Sequence, residues 1–369
     1  MERISDVIDS GLSMAVGFSE VLSGSPVGLS VEAASIMRSA MSGVAIELNI
    51  NMTRQVSLEH FASKYSNAFA TKVALEGVVE FFEGIWKAIK EFIKKIWDSI
   101  KSLFGAGVNK VKKEKTKKEI EDTKLKIEKI ENAIDDKEMK DLGGTPVEKG
   151  SALHKAYGAV CYNEGAFKPP TIQTMNSLYA ITEDKVTKTV GYLTASELDM
   201  RELAKTIDEI SKSRSPEGIR NKSNEFITRH KEISNNLLDD NVKAKEFLDR
   251  IKDNDFTMFD IVAIKSIWSD FKQNETKLQG HKDTLNKAME SFEKISQQVE
   301  SDIDEHIKHI DDAGDDEMVK DVMREFMLEY KGVNTATFTW IKYVQKTTDT
   351  YIDNVLNFIN ENLKAYKLK

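Results

Sequence analysis

The chain has 369 residues, of which 31% are charged and 40% are hydrophobic, and its formal net charge is −8. This acidic balance excludes a protein that condenses DNA through a uniformly basic surface. The single cysteine, Cys161, excludes an internal disulfide framework, and we expect it to be a buried small side chain. The balance of hydrophobic and charged residues, together with only 5 prolines, favours helices with narrow apolar faces and broad solvated ones.

The first 76 residues differ in composition from the rest of the chain. They are rich in Ser, Ala, Gly and Met, poor in Lys, and contain no Trp. Residues 31–48 have a weakly amphipathic helical pattern, and residues 22–28, which include Pro26, indicate a turn. We expect this region, called the N-terminal segment below, to order on a scaffold rather than to fold as an independent domain. Its uncharged runs are shorter than the roughly 18 apolar residues of a membrane span, and no secretory signal is visible, so we expect synthesis in a cytoplasm.

Residues 77–104 carry a repeat of eleven residues. Because eleven residues make three helical turns, the repeat lays one apolar stripe along a single helix face. The members of this aromatic stripe are Phe82, Ile85, Trp86, Ile89, Ile93, Ile96, Trp97, Ile100 and Phe104. Such a stripe must be buried in its own bundle, against a partner or in a membrane surface. We favour a bundle or an oligomer, because the charges around the stripe are only weakly basic.

A charged stretch, residues 109–141, follows glycines that end the striped helix. Isoleucines recur in it at spacings of seven, three and four, which predicts a coiled-coil seam formed by Ile120, Ile127, Ile130 and Ile134. Residues 142–146, Leu-Gly-Gly-Thr-Pro, then break the helix. We therefore predict three segments, which are the N-terminal segment 1–76, a helical pair at 77–141 and a helical body at 142–369.

The helical body has apolar residues at spacings of three and four over long stretches. One such seam comprises Leu285, Met289, Phe292, Ile295, Val299, Ile303, Ile307 and Ile310. Thr194 and Glu197 have the spacing of a capping box, which predicts a helix start there. Residues 185–193 alternate weakly with a period of two. The chain as a whole is predicted to be all-α, an elongated multi-helix bundle with coiled-coil-like segments.

Motifs that carry chemistry are not found. The sequence contains no phosphate-binding glycine loop, no C-x-x-C and no H-E-x-x-H. His306 and His309 lie one helical turn apart, but we interpret them as part of a solvated face rather than as metal ligands. The lysine-rich run at residues 110–118 is likewise interpreted as a solvated face, although phosphate or lipid headgroups could contact it. We therefore expect no catalytic residue, no cofactor and no metal site.

Four tripeptides with a small residue, any residue and then Glu lie in the N-terminal segment. They are Ser30-Val31-Glu32, Ala45-Ile46-Glu47, Ser57-Leu58-Glu59 and Ala74-Leu75-Glu76, and Gly77 follows the last of them. The last tripeptide coincides with the change in composition and with the start of the striped helix. This layout resembles the internal virion proteins of large-genome (jumbo) tailed bacteriophages, which a prohead protease cuts after small-x-Glu.

The resemblance implies a non-enzymatic virion component of the phage head interior, synthesised in the host cytoplasm. It would assemble in the prohead with other virion proteins and meet the maturation protease there. The cut is expected after Glu76, with Glu32, Glu47 and Glu59 as weaker candidates, and the product would stay in the capsid or be ejected with the genome.

Two other functions remain open at this stage. An α-helical pore-forming toxin could insert the helix at residues 78–104 into a bilayer, but no apolar hairpin long enough to cross a membrane is present. An adaptor protein could instead self-associate through the isoleucine seams. The sequence leaves contact with DNA or with a membrane undecided.

Overall fold

The computed structural model describes residues 2–24, 28–50, 52, 67–104, 108–135, 141–163, 166–167, 170–209, 253–310 and 317–366. Within these residues the chain forms eight helices. They are α1 (Glu2–Ser23), α2 (Val31–Glu47), α3 (Asn67–Phe104), α4 (Val108–Asp135), α5 (Ala152–Cys161), α6 (Ile172–Glu209), α7 (Ile261–Ile310) and α8 (Glu317–Ala365). The strands described are two-residue segments, β1 (Tyr162–Asn163) and β2 (Ala166–Phe167), which pair antiparallel. The prediction of an all-α protein is confirmed.

Side-chain caps fix several helix starts. Ser30 caps α2 by accepting a hydrogen bond from the backbone N–H of Ala33, 3.2 Å away. Asp260 accepts in the same way from the N–H of Ala263 at the start of α7, at 2.7 Å. At the end of α2, Asn49 has a left-handed backbone with φ of 55°, a conformation that asparagine tolerates better than most residues. Ile50 then donates its N–H to Ala45 O at 2.8 Å, which closes the helix.

Two patterns noted in the sequence mark neither a strand nor a helix start in α6. Residues 185–193 are helical throughout, so their weak alternation does not mark a strand. Thr194 and Glu197 lie inside α6 and do not begin a helix. The Thr194 hydroxyl donates to Val190 O one turn earlier, and Glu197 accepts from Arg201 one turn later. Both residues therefore form hydrogen bonds within one continuous helix and do not cap a helix start.

The contacts group the chain into two compact units, each discontinuous in sequence. Unit 1 comprises residues 1–99, 196–229 and 291–338, and unit 2 comprises residues 100–195, 230–290 and 339–369. The three-segment division of the sequence stays a prediction.

The core of unit 2 centres on Tyr157 of α5. Its hydroxyl donates to Asn362 Oδ1 at 2.8 Å and accepts from the N–H of Phe259 at 3.1 Å. The ring of Phe358 lies edge-on to the tyrosine ring, with centroids 4.8 Å apart. A backbone bridge between Pro146 and Thr257 ties the segment before α5 to the segment before α7. The loop that was expected to break the helix is therefore anchored in this unit.

The isoleucine seam of α4 lies inside unit 2 as well. Ile120, Ile127 and Ile130 are buried, and the side chain of Ile134 lies outside the described residues. Thr123, on the same face, donates to Asn360 Oδ1 of α8 at 2.9 Å. The seam thus packs against a helix of its own chain, and self-association through it stays a prediction.

Candidate functional site

The aromatic stripe of α3 is buried. Phe82, Ile85, Trp86, Ile89, Ile93, Ile96, Trp97 and Ile100 are at most 8% exposed, and the side chain of Phe104 lies outside the described residues. The stripe residues up to Trp97 belong to unit 1, where α3 contacts α7 and α8. The rings that would enter a membrane surface are consequently inside the protein in this conformation.

The first tryptophan of the repeat is held by α7. Trp86 donates its indole N–H to Asp304 Oδ1 at 2.6 Å. The Lys90 ammonium lies one turn along α3 and donates to both oxygens of the same carboxylate, at 2.7 and 2.9 Å. It also lies 5.7 Å from the centroid of the Trp86 ring. One carboxylate of α7 therefore fixes two neighbouring side chains of the striped helix.

The second tryptophan is held by α8. Trp97 donates its N–H to Asn334 Oδ1 at 3.1 Å, in the buried interior of unit 1. The Phe292 ring of α7 lies against the indole, with centroids 5.9 Å apart. The amide N–H₂ of Asn334 donates to Tyr330 O at 2.9 Å, which orients the amide oxygen toward the indole. The two equivalent positions of the repeat thus find acceptors on two different helices.

Tyr330 and Glu300 extend this polar group between α8 and α7. The Tyr330 hydroxyl donates to Glu300 Oε2 at 3.2 Å, and the Ser296 hydroxyl lies 3.2 Å from the tyrosine oxygen. Burial raises the pKa of Glu300, although the bond from Tyr330 and the charge of Lys90 act in the opposite direction. Burial also raises the pKa of Tyr330 well above its ordinary range. A carboxylate, a phenol and a hydroxyl thus join α7 to α8 in unit 1.

The helices α1 and α2 of the N-terminal segment pack inside unit 1. One face of α1 is buried through Ile8, Leu12, Ala15 and Val16, and one face of α2 is buried through Ala34, Met37, Met41 and Ala45. A β-carbon on Gly11 would lie 3.1 Å from both Ile85 Cδ1 and Val44 Cγ1, so α1 approaches α3 and α2 closely at this glycine. The sequence predicted the helix at residues 31–48 but not α1.

A buried lysine of α8 meets α1. Lys331 Nζ donates to Asp9 Oδ1 at 2.5 Å and to Ser5 O at 2.9 Å. The side chain of Lys331 is only 6% exposed, whereas that of Asp9 is 48% exposed. Burial lowers the pKa of Lys331 in spite of the opposing effect of Asp9. The only carboxylate that bonds this lysine within the described part of the chain therefore comes from the N-terminal segment.

The small-x-Glu tripeptides lie on helices where they are described. Ala74, Leu75, Glu76 and Gly77 all fall within α3, with Ala74 buried and Glu76 exposed. Met41 of α2 lies beside Gly77, with its Cε 3.6 Å from where a β-carbon would stand. A cut after Glu76 therefore requires the start of α3 to unwind, because proteases bind extended backbone.

The weaker candidate sites differ in their surroundings. Glu47 is the last residue of α2 and is exposed, but Ala45 two residues before it is buried. Glu32 is exposed in the first turn of α2, and Ser30 before it has extended backbone and is also exposed. The site at Glu59 lies outside the described residues.

Other residues singled out from the sequence are not brought into a site. Lys115, Lys117 and Lys118 are exposed on α4, while the side chains of the lysines at 110–113 lie outside the described residues. The side chains of His306 and His309 also lie outside them. Over the described part of the chain, no group of three or more His, Cys, Asp or Glu residues could hold a metal ion. Cys161 is a buried free thiol, and burial raises its pKa to about 12.

Sequence reasoning missed the polar partners of the buried helices. Asp304, Asn334 and Lys331 were not predicted from the sequence to bind buried side chains. One signal was present, since Met327 and Leu328 lie one helical turn before Lys331. A charge inside an apolar face indicates a buried pair, but it does not identify the partner.

Comparison with known proteins gives one family match, which covers the first part of the chain. Residues 2–164 match the family model of phiKZ-like phage internal head proteins. The resemblance to internal virion proteins of large-genome tailed phages is confirmed. The match places the chain in the phage head interior as a component of the head, and it covers the N-terminal segment, α3, α4 and α5.

No curated protein and no solved structure matches the chain. Among the described residues, no helix is long and apolar enough to cross a membrane.

Proposed function

We propose that this internal head protein is a non-enzymatic component that assembles in the prohead and is cut there by the maturation protease. The position of the small-x-Glu tripeptides is the observation that supports this proposal. All four fall within the residues that match the internal head protein family, and the last one marks the change in composition at residue 76. Other prohead proteins and the protease are the partners that this function requires.

We place the main cut between Glu76 and Gly77. This position separates a segment poor in lysine from the charged remainder of the chain, residues 77–369. The helical turns of α3 around Glu76 must unwind before the protease can bind, because proteases bind extended backbone. Cleavage at this site is accordingly expected to be slow in the folded chain and faster while the N-terminal segment is still assembling.

The test is peptide mapping of N-termini by mass spectrometry on protein isolated from virions. A mature start at Gly77 supports the main cut, and a start at residue 33, 48 or 60 supports processing at a weaker site. A Glu76→Gln variant introduced into the phage provides the matched control, because it keeps the helix and removes only the recognised charge. Virions in which Met1 or residue 2 remains the terminus of the wild-type chain would contradict the proposal.

The mature body is proposed to remain with the packaged genome or to leave with it. Its helices have long charged faces, and the acidic net charge keeps such a protein dispersed at high concentration. Comparison of full particles with particles that have released their DNA decides between the two fates, because a retained protein stays with the empty head.

A further inference from the structure

Within unit 1, the contacts of α1 and α2 with α3 and α8 join residues on the two sides of the proposed cut. We propose that residues 77–369, called the body below, carry a binding site for residues 2–50. This site keeps residues 2–50 attached after the backbone is cut at residue 76. The biological role of this site rests on the proposed function, because a cut after Glu76 would separate residues 2–50 from the rest of the chain. Cutting and departure are then two distinct events.

The apolar part of this binding site is formed by α3. Gly11 of α1 fits against Ile85, and Met41 of α2 lies beside Gly77. Ile50, just after α2, covers Gly84 so closely that a β-carbon at position 84 would overlap with the Ile50 side chain. These three contacts follow α3 over two helical turns, on residues that remain in the body after a cut at 76. The segment is therefore seated along the helix and is not attached at one end only.

The polar part of the site is Lys331 of α8. Its ammonium binds Asp9 Oδ1 and Ser5 O of α1, and its side chain is almost fully buried. Departure of the segment removes both partners at once. Loss of this charge-assisted pair raises the free energy of the released state, so the pair opposes release of α1. Arg324 adds a longer contact, 3.4 Å, to the hydroxyl of Ser13 one helical turn beyond Asp9.

These contacts have a consequence for maturation. Cleavage of the backbone removes the covalent connection but none of the contacts to Ile85, Gly84 or Lys331. The cut segment consequently leaves only when something else pulls it away or unfolds it. Release can thus be timed separately from the action of the protease.

The experiment uses the full chain with a recognition sequence for a site-specific protease inserted after Met52. The purified protein is cut with that protease and analysed by size-exclusion chromatography and native mass spectrometry. We expect one species that contains both fragments in native buffer. Separation of the fragments of the wild-type sequence under these conditions would overturn the proposal.

Matched substitutions test the role of Lys331. Asp9→Asn removes the charge that faces this lysine, and Glu20→Gln removes an exposed charge from the same helix. Circular dichroism of the uncut variants verifies that both fold. We expect Asp9→Asn to raise the dissociation rate constant of the cut segment by at least about tenfold and Glu20→Gln to leave it unchanged. Equal rates for Asp9→Asn and the wild type would overturn the assignment of Lys331.

The two proposals can fail independently. The inserted sequence makes the cut without the phage protease, so the result does not depend on natural processing. If the virion protein is untrimmed but the fragments of the cut protein stay together, the proposed processing is wrong and the binding site is supported. If the virion protein is trimmed but the fragments separate rapidly, the processing is supported and the binding site is wrong.

Discussion

Trp97 of α3 donates its indole N–H to the side-chain oxygen of Asn334 on α8, 3.1 Å away in the buried interior of unit 1. The equivalent tryptophan of the repeat, Trp86, donates to Asp304 on α7 instead. Both indoles occupy the same position in a repeat of eleven residues, yet each meets a different helix. The repeat therefore does more than supply apolar area, because its two N–H groups fix the rotation of α3 against two neighbours.

Replacement of Trp97 with Phe tests this bond. The substitution keeps most of the ring area, but it leaves Asn334 without its indole donor, so we expect a loss of about 1–2 kcal/mol in the free energy of unfolding. Urea denaturation followed by circular dichroism measures the change.

Trp340 provides the matched control for that substitution. It is fully buried, and no acceptor for its indole N–H lies within reach among the described residues. The indole N–H of Trp340 is buried away from water and makes no hydrogen bond to a described residue, so Trp340→Phe removes no such bond. We therefore expect Trp340→Phe to destabilise the protein less than Trp97→Phe does. An equal or larger loss for Trp340→Phe would show that ring area, and not the bond to Asn334, decides the effect.

Glu300 should make stability depend on pH in a direction opposite to that of most carboxylates. Burial raises its pKa in the folded chain above the ordinary value of 4.5. The folded state therefore holds the proton of Glu300 more tightly than the unfolded state does. The stability that this group contributes is fully present below pH 4.5 and is lost as the pH rises through the folded pKa.

Glu300→Gln isolates this contribution, because glutamine can still accept the hydrogen bond from Tyr330. We expect the free energy of unfolding of the variant, relative to the wild type, to increase as the pH is raised from about 4 to about 7. Urea denaturation at several pH values gives both curves. A constant difference between wild type and variant across this range would contradict the raised pKa.

Much of the helical architecture could be predicted because it depends on local periodicity. The stripe from Phe82 to Ile100 and the seam from Ile120 to Ile130 repeat at helical spacing, and both are buried. The capping-box pattern at Thr194 misled because the same residue types also form bonds within a helix.

The tertiary partners could not be predicted from the sequence. Lys331 is paired with Asp9 across 322 residues, and Trp97 with Asn334 across 237. Spacing along one helix carries no information about which distant residue completes a buried polar group. The burial of α1 was missed for a related reason, since its small residues, such as Gly11 and Ala15, favour close approach between helices but give only a weak apolar pattern.

The thiol of Cys161 is expected to be unreactive in the folded chain. It is fully buried in α5, and burial raises its pKa from 9.0 to about 12. Near neutral pH the thiolate fraction falls by roughly a thousandfold relative to an ordinary cysteine, and access by reagents is blocked as well.

Labelling with a thiol-specific chromophore checks the state of Cys161. We expect negligible labelling in native buffer and one thiol per chain in guanidinium chloride. A Cys161→Ser chain that also carries Ser39→Cys gives the matched control, because Ser39 is exposed on α2. That control should label rapidly in native buffer, and rapid labelling of the wild type would mean that α5 opens readily.

Gly84 should not tolerate a side chain, because Ile50 occupies the space of a β-carbon at that position. We expect Gly84→Ala to destabilise the protein by about 1–3 kcal/mol through overpacking, although alanine is the better helix former. Gly17→Ala in α1 is the matched control, since nothing lies within 4 Å of a β-carbon there. This control should stabilise the protein by about 0.5–1 kcal/mol. Thermal unfolding of both variants measures the difference.

Ile50→Ala should remove the penalty of Gly84→Ala in the double variant, because it deletes the methyl group that overlaps. If the penalty persists in the double variant, the close approach of Ile50 to α3 is not its cause.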